Sequence, residues 1–420
     1  MKGKKLAAKI ILGLLLATPY GLTEAGEQSG TIDDSVNKTD SIIITANKYK
    51  DFTPTNIIGY GVYAADSDII NLTGSEITIN AEQFNTELTE IRGAWARDNS
   101  TISLGKSDSI VSVNVKGNSV MALTAIGTNS KLEVNADSLF VNVESTSKDG
   151  YGIHAQNKTQ DIDAPDTAAS VNIKANNIVV NSNALGISAF SNGQMNVNGN
   201  LVVNAKNAID TRGNATININ TDGKHTTVLN GDIVFETPYT PEDTQNSGNL
   251  INSNVNINLS GEESSWTGRA YQEYQVKNDK NEYVYIKSAE LDTPDGYKYG
   301  DVTGFKMNIN NGASWNMDGD SFINNVTVEN GGVINVQKDV KEFNVGIAAD
   351  SGDDKGGITL NNGIINLQGE SQQITVTELD GTGGTVNTNS LDNKMNIDKV
   401  DNKDTAITVN GSGEIADAIY

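Results

Sequence analysis

Two histidines, no cysteine and a few carboxylate clusters are the chemically versatile side chains of this 420-residue sequence. The absence of cysteine excludes thiolate nucleophiles, disulfides and thiolate metal sites. His154 sits in Gly152-Ile153-His154-Ala155, at a position where sister segments carry Tyr63, Trp95 and Ser188. Strand alternation turns it opposite to Ile153 and Ala155, so it reads as an ordinary outward side chain. A hydrolytic triad also lacks its nucleophile, because no serine lies in a Gly-x-Ser-x-Gly elbow or a Gly-Asp-Ser-Gly segment. Gly105-Lys106-Ser107 has Ser100 where a phosphate loop needs its leading glycine, and Gly411-Ser412-Gly413 has too few residues after it for a dinucleotide-binding helix. Asp318 with Asp320, or Asp350 with Asp353 and Asp354, offer loop oxygens to a calcium ion but not a complete ligand spacing. They read as solvated acidic loops, and no cofactor or metal is expected.

His225 follows Asn220-Thr221-Asp222-Gly223. That run is similar to the Asn-Thr-Asp motif of polygalacturonases, which hydrolyse pectin with clustered carboxylates. Inverting hydrolysis needs further carboxylates at a fixed separation, and none lies in range along the sequence. The segment therefore reads as a corner turn. The remaining contact-forming residues are tyrosines: Tyr271, Tyr274, Tyr283, Tyr285, Tyr297 and Tyr299. Tyr271–Val276 and Tyr283–Ile286 flank the polar Lys277–Glu282, a pattern that predicts a hairpin. Exposed tyrosines would give that hairpin a large contact area at low entropic cost, for binding a protein or a glycan. The alternative is that they fold back and shield a sheet edge.

The elements that position these residues repeat. Gly-apolar-x-Ala recurs as Gly61–Ala64, Gly93–Ala96, Gly152–Ala155 and Gly186–Ala189, with Met121–Ala125 a degenerate copy. Each copy is followed by short alternating strands such as Val111–Val115, Ile178–Val180 and Leu201–Val203. A period of about thirty residues, with β-branched residues on one parity and Asn, Ser or Lys on the other, predicts a stacked solenoid. The fold expected is all-β, a right-handed parallel β-helix with a projecting Tyr-rich hairpin. Some 13 to 18 coils would make a rod on the order of 60 to 90 Å long. Asparagine suits its corners and can hydrogen-bond to an asparagine in the next coil. With 37% hydrophobic and 6% aromatic residues, a thin repetitive core is better supplied than a round one.

Residues 1–25 combine Lys2, Lys4, Lys5 and Lys9 with the apolar run Ile10–Ala17 and a plausible cleavage site at Thr23-Glu24-Ala25. This order reads as a secretory signal peptide, and no later window is apolar enough for a membrane helix. The formal net charge of −23, with only four arginines, speaks against nucleic acid or anionic lipid as a partner. The expected organisation is a cap or linker at 26–56, repeats at 57–236, an irregular insertion with the Tyr-rich hairpin at 237–306, and shorter coils at 307–420.

Those last coils contain Asn311-Gly312-Ala313-Ser314-Trp315-Asn316-Met317, then Val328-Glu329-Asn330-Gly331-Gly332-Val333 and Leu360-Asn361-Asn362-Gly363-Ile364. Together they resemble the pertactin-like passenger region of bacterial autotransporters, and Ser264-Ser265-Trp266-Thr267-Gly268 looks like a related coil. The resemblance implies a non-enzymatic adhesin, displayed at the cell surface, associated with the outer membrane or released, whose partner is a protein or glycan of a host or neighbouring cell. The family pattern ends in a translocator barrel. None is present up to Tyr420, which places that barrel on another chain or downstream. The readings from other classes are a β-helical polysaccharide hydrolase or lyase, and a truncated passenger without present function.

Overall fold

A computed structural model describes residues 27–53, 56–147, 150–157, 168–237, 253–277, 283–287, 305–346, 356–401 and 405–416. The proposed signal peptide, Tyr297, Tyr299 and Asp350 to Asp354 lie outside the described residues. The described chain is all-β and contains no helix among those residues, so none that could cross a membrane. Its strands pair parallel in a solenoid-like stack, apart from two antiparallel pairs: Lys48–Thr53 with Asn56–Ala64, and Ala270–Lys277 with Tyr283–Lys287.

One register column runs through the whole stack. Ser29 pairs with Ile44, which pairs in turn with Ile79, Val113, Val141, Val180, Val203 and Leu229. The column then continues through Trp266, Trp315, Ile334, Ile365 and Val386 to Val409. At about 4.8 Å per strand spacing, this column is on the order of 60 Å long. The segment expected as cap or linker contributes its first strands, Glu27–Ser29 and Ile42–Thr45. Most residues of the column lie between apolar neighbours, and one apolar cluster runs from Ile32 to Ile397 with most members fully buried. Parallel strands need their partners from other coils, which is why this core is continuous and has no separable lobes.

Asparagine has two separate jobs. At corners it takes left-handed backbone, as in Asn99, Asn129, Asn220, Asn330 and Asn362. The ladders, however, lie within strands. Asn114 donates through Nδ2 to Asn80 Oδ1, and Asn142, Asn181, Asn204 and Asn230 each donate to the rung before. The sequence separations between rungs are 34, 28, 39, 23 and 26 residues, so coil length varies while register holds. Loops absorb the difference outside the stack.

Candidate binding face

The Gly-apolar-x-Ala copies fall on one another. Tyr63, Trp95, Thr124, His154 and Ser188 pair in sequence, and the column goes on through Asp210 and Val234 to Tyr271. Asn207-Ala208-Ile209-Asp210-Thr211 is thus a further copy, hidden in the sequence because alanine replaces the glycine. The glycine position is crowded: a Cβ at Gly152 would lie 2.6 Å from Gly186 O and 2.7 Å from Val180 Cγ1. Close approach there lets both parities of the strand be buried, and Ile91 to Ala96 are buried without interruption.

The column therefore forms an outer layer, opposite in parity to the main core yet covered. His154 corrects the expectation of an ordinary outward side chain. It is 1% exposed, and its ring lies 4.8 Å from that of Tyr151 and 5.1 Å from that of Phe190. Its Nδ1 is 2.8 Å from Ser188 Oγ and its Nε2 3.1 Å from Gln156 Oε1. Burial pushes its pKa down to about 3; Gln156 opposes the shift, and Arg92 and Arg212 add to it. Serine, imidazole and amide thus form a relay that no linear motif announced, since Ser188 lies one coil away. A fully buried serine beside so weak a base is a packing arrangement rather than a nucleophile.

Two flanking columns complete the face. On one side Tyr60, Arg92, Met121, Tyr151, Leu185, Asn207 and Asp232 are in register; on the other, Arg97, Ile126, Gln156, Phe190, Arg212 and Glu236. All four arginines of the sequence gather here with their guanidinium groups against rings. Arg92 is 3.9 Å and Arg97 5.8 Å from the Trp95 ring centre, Arg212 is 4.4 Å from Phe190, and Arg269 is 4.7 Å from Tyr271. Each also meets a carboxylate: Arg92 with Glu90, Arg97 with Asp98 at 3.0 Å, Arg212 with Glu236 at 3.5 Å and Arg269 with Asp232 at 3.1 Å. Asp318, near Asp232 and Arg269, has its pKa raised by burial and by Asp232. Arg92 Nη1, Thr124 Oγ1, Asn207 Oδ1 and Arg212 Nε are buried with no hydrogen-bond partner among the described residues.

The sequence-predicted site residues are divided. Tyr271 is 6% exposed and lies over Val234 as the last member of the outer column, which removes it from the set of exposed contact residues. Tyr274, Tyr283 and Tyr285 do lie on an antiparallel strand pair, opposite Ile286, Lys277 and Gln275. Asn220-Thr221-Asp222-Gly223 is a turn: Gly223 N donates to Asn220 O at 2.9 Å, and both residues have positive φ. Among the described residues no group of side chains could hold a metal ion, and Asp320 instead accepts from Lys341 N and Glu342 N. Tyr63, Trp95 and the four arginines were not singled out as contact residues; the signal available was the concentration of every arginine at strands of the Gly-apolar-x-Ala type. No family model matches the chain, and no curated protein matches it either.

Proposed function

We propose that the protein is an exported, non-enzymatic adhesin built on a right-handed parallel β-helix like the pertactin-like passengers, and that it attaches through the outer aromatic and arginine face. The observation that carries this reading is the set of partly exposed arginines on one side of the stack, the side chains of Arg97, Arg212 and Arg269 being 26%, 23% and 31% exposed above buried rings. Arginine is among the residue types that dominate binding energy at interfaces. A stack whose coils stabilise their neighbours holds such a face at fixed spacing away from a cell. The leader-like 1–25 and the acidity of the chain agree with export.

A polysaccharide hydrolase or lyase is the second reading, favoured by Asp210, Asp232, Glu236 and Asp318 on neighbouring coils. Against it, Asp232 and Glu236 are paired to Arg269 and Arg212, and Asp210 is buried and accepts from Asn207 Nδ2 at 3.0 Å. Release of reducing or unsaturated ends from pectin or other polysaccharides would establish that reading instead.

Attachment of the purified chain to cultured epithelial monolayers and to bacterial lawns tests the adhesin. The double substitution Arg97→Glu with Arg212→Glu should lower attachment at least tenfold while the far-UV spectrum is kept. Unchanged attachment would remove the face from the proposal.

A further inference from the structure

Another wall of the stack carries a band without charge. An outward column runs in register from Ile43 to Val333 over ten successive strands, opposite in parity to the core column. Two residues further along each strand runs a second column, from Thr45 through the ladder Asn80 to Asn230 and on through Thr267 to Asn335. All twenty residues are partly or well exposed except Val179, which is 8% exposed between Phe140 and Val202. With 20% of the chain charged, twenty outward positions would carry about four charges, and these carry none. We propose that this band is a docking surface for a second copy of the chain, laid antiparallel against the first.

The first column has the same order of polarity from either end. From its centre outward the matching positions are Val179 and Val202, Phe140 and Val228, Ser112 and Ser265, Thr78 and Ser314, and Ile43 and Val333. A two-fold axis along the strand direction, midway between Val179 and Val202, sets each residue against its match on the other copy, apolar on apolar and hydroxyl on hydroxyl. The same operation lays ladder on ladder, Asn181 over the partner's Asn204 and Asn142 over the partner's Asn230. Within its own ladder Asn142 uses one N–H on Asn114 and accepts once from Asn181, which leaves one N–H and one lone pair for the partner. Charge selects the same surface: at −23 two copies repel each other, and an uncharged band lets them meet without setting like charges together. Ten strands at about 4.8 Å and two columns of side chains offer roughly 600 Å² on each copy, near the lower end of specific interfaces, so the dimer should be weak. The arginines stand on other stretches of strand, Glu90–Arg97 against Ile110–Gly117 for example, so the band and the adhesive face are separate surfaces.

Sedimentation equilibrium of the full chain reads the association directly. Dimers should form with a Kd on the order of 10 μM, and added salt should tighten them by screening the net charge. Val202→Lys, next to the two-fold axis, should weaken the dimer at least tenfold while the melting temperature is kept, because the side chain is outward and partly exposed. Ser112→Lys and Ser265→Glu should each weaken it, and the double variant should associate at least tenfold more tightly than Ser112→Lys alone. Within one copy those two positions are five strands apart, about 24 Å, too far to pair, and the antiparallel arrangement alone brings the lysine of one copy to the glutamate of the other. A chain still monomeric at about 100 μM, a dimer that Val202→Lys leaves unchanged, or one that loosens with salt would overturn the docking surface. A dimer lost in Val202→Lys but not recovered in the double variant would overturn the antiparallel arrangement.

Discussion

The coils from Asn56–Ala64 to Gln194–Arg212 and those from Thr227–Thr237 onward share one backbone register, but only the later coils place aromatic rings inside the wall: Phe235, Trp266, Phe305, Trp315 and Phe343. In the first group the interior is filled by small residues such as Val62, Ala64, Ala94 and Ala96, while Tyr63, Trp95, Tyr151 and Phe190 lie on the outer layer. In the second the rings are inside. Trp266 and Trp315 stack at 4.4 Å and 12°, Phe305 and Phe343 close on them, and each indole Nε1 donates to a backbone carbonyl, of Gly231 and Gly268. Interior rings have every polar atom met and serve the scaffold. Outer rings are interleaved with arginines and with buried groups left unpaired, an arrangement that costs stability.

Removal of Trp315 should separate the two regions most strongly. Trp315→Ala opens a void beside Trp266 and Phe343 and should lower unfolding stability by about 3–5 kcal/mol, read from the shift of the denaturant midpoint. A loss below about 1 kcal/mol would mean that the interior rings are not what stabilises the C-terminal coils.

The same contrast explains what was legible in the sequence. Alternation in Val111–Val115 or Val255–Leu259 is the direct trace of one buried face, so the parallel stack could be read from single strands. The Trp266 and Trp315 segments were recognisable as related coils, and they pair directly. The outer layer was not legible, because its neighbours are one coil apart: His154 meets Ser188 34 residues on, and Arg212 meets Glu236 24 residues on. Alternation correctly turned His154 away from the core, but its burial depends on Tyr151 and on Phe190 from the next coil, which no local pattern reveals. Tyr271 failed as an exposed residue for the same reason: its register over Val234 decides its burial.

A pH series sharpens the comparison, because His154 lies in the first group of coils and burial depresses its pKa. An unfolded histidine titrates near 6.5, whereas folded His154, facing Tyr151, Ser188, Gln156 and Phe190 with Arg92 and Arg212 nearby, holds no proton until about pH 3. The unfolded state therefore binds the extra proton first. The stabilisation is complete above about pH 6.5 and is lost as pH falls toward 3, by about 2 kcal/mol between pH 6.5 and pH 5. His154→Gln should flatten that part of the profile. A wild-type curve that is already flat there would place the imidazole in contact with water and break the claim of a covered outer layer.

The smallest effect concerns a feature that the two regions share. Asn142 donates to Asn114 and accepts from Asn181; Asn387 donates to Asn366 and accepts from Asn410. Either Asn→Ala change removes two amide hydrogen bonds and leaves two neighbours to re-pair with water, a loss of about 1–2 kcal/mol in denaturant unfolding. Asn410, with one ladder bond and a more exposed position, should cost less than about 0.5 kcal/mol. Equal losses at Asn142 and Asn387 would make the ladder a common device of the stack, indifferent to where the rings lie. A loss confined to Asn142 would instead tie the ladder to the outer aromatic layer on the same coils, and the two regions would then differ in how their strands are held as well as in what they display.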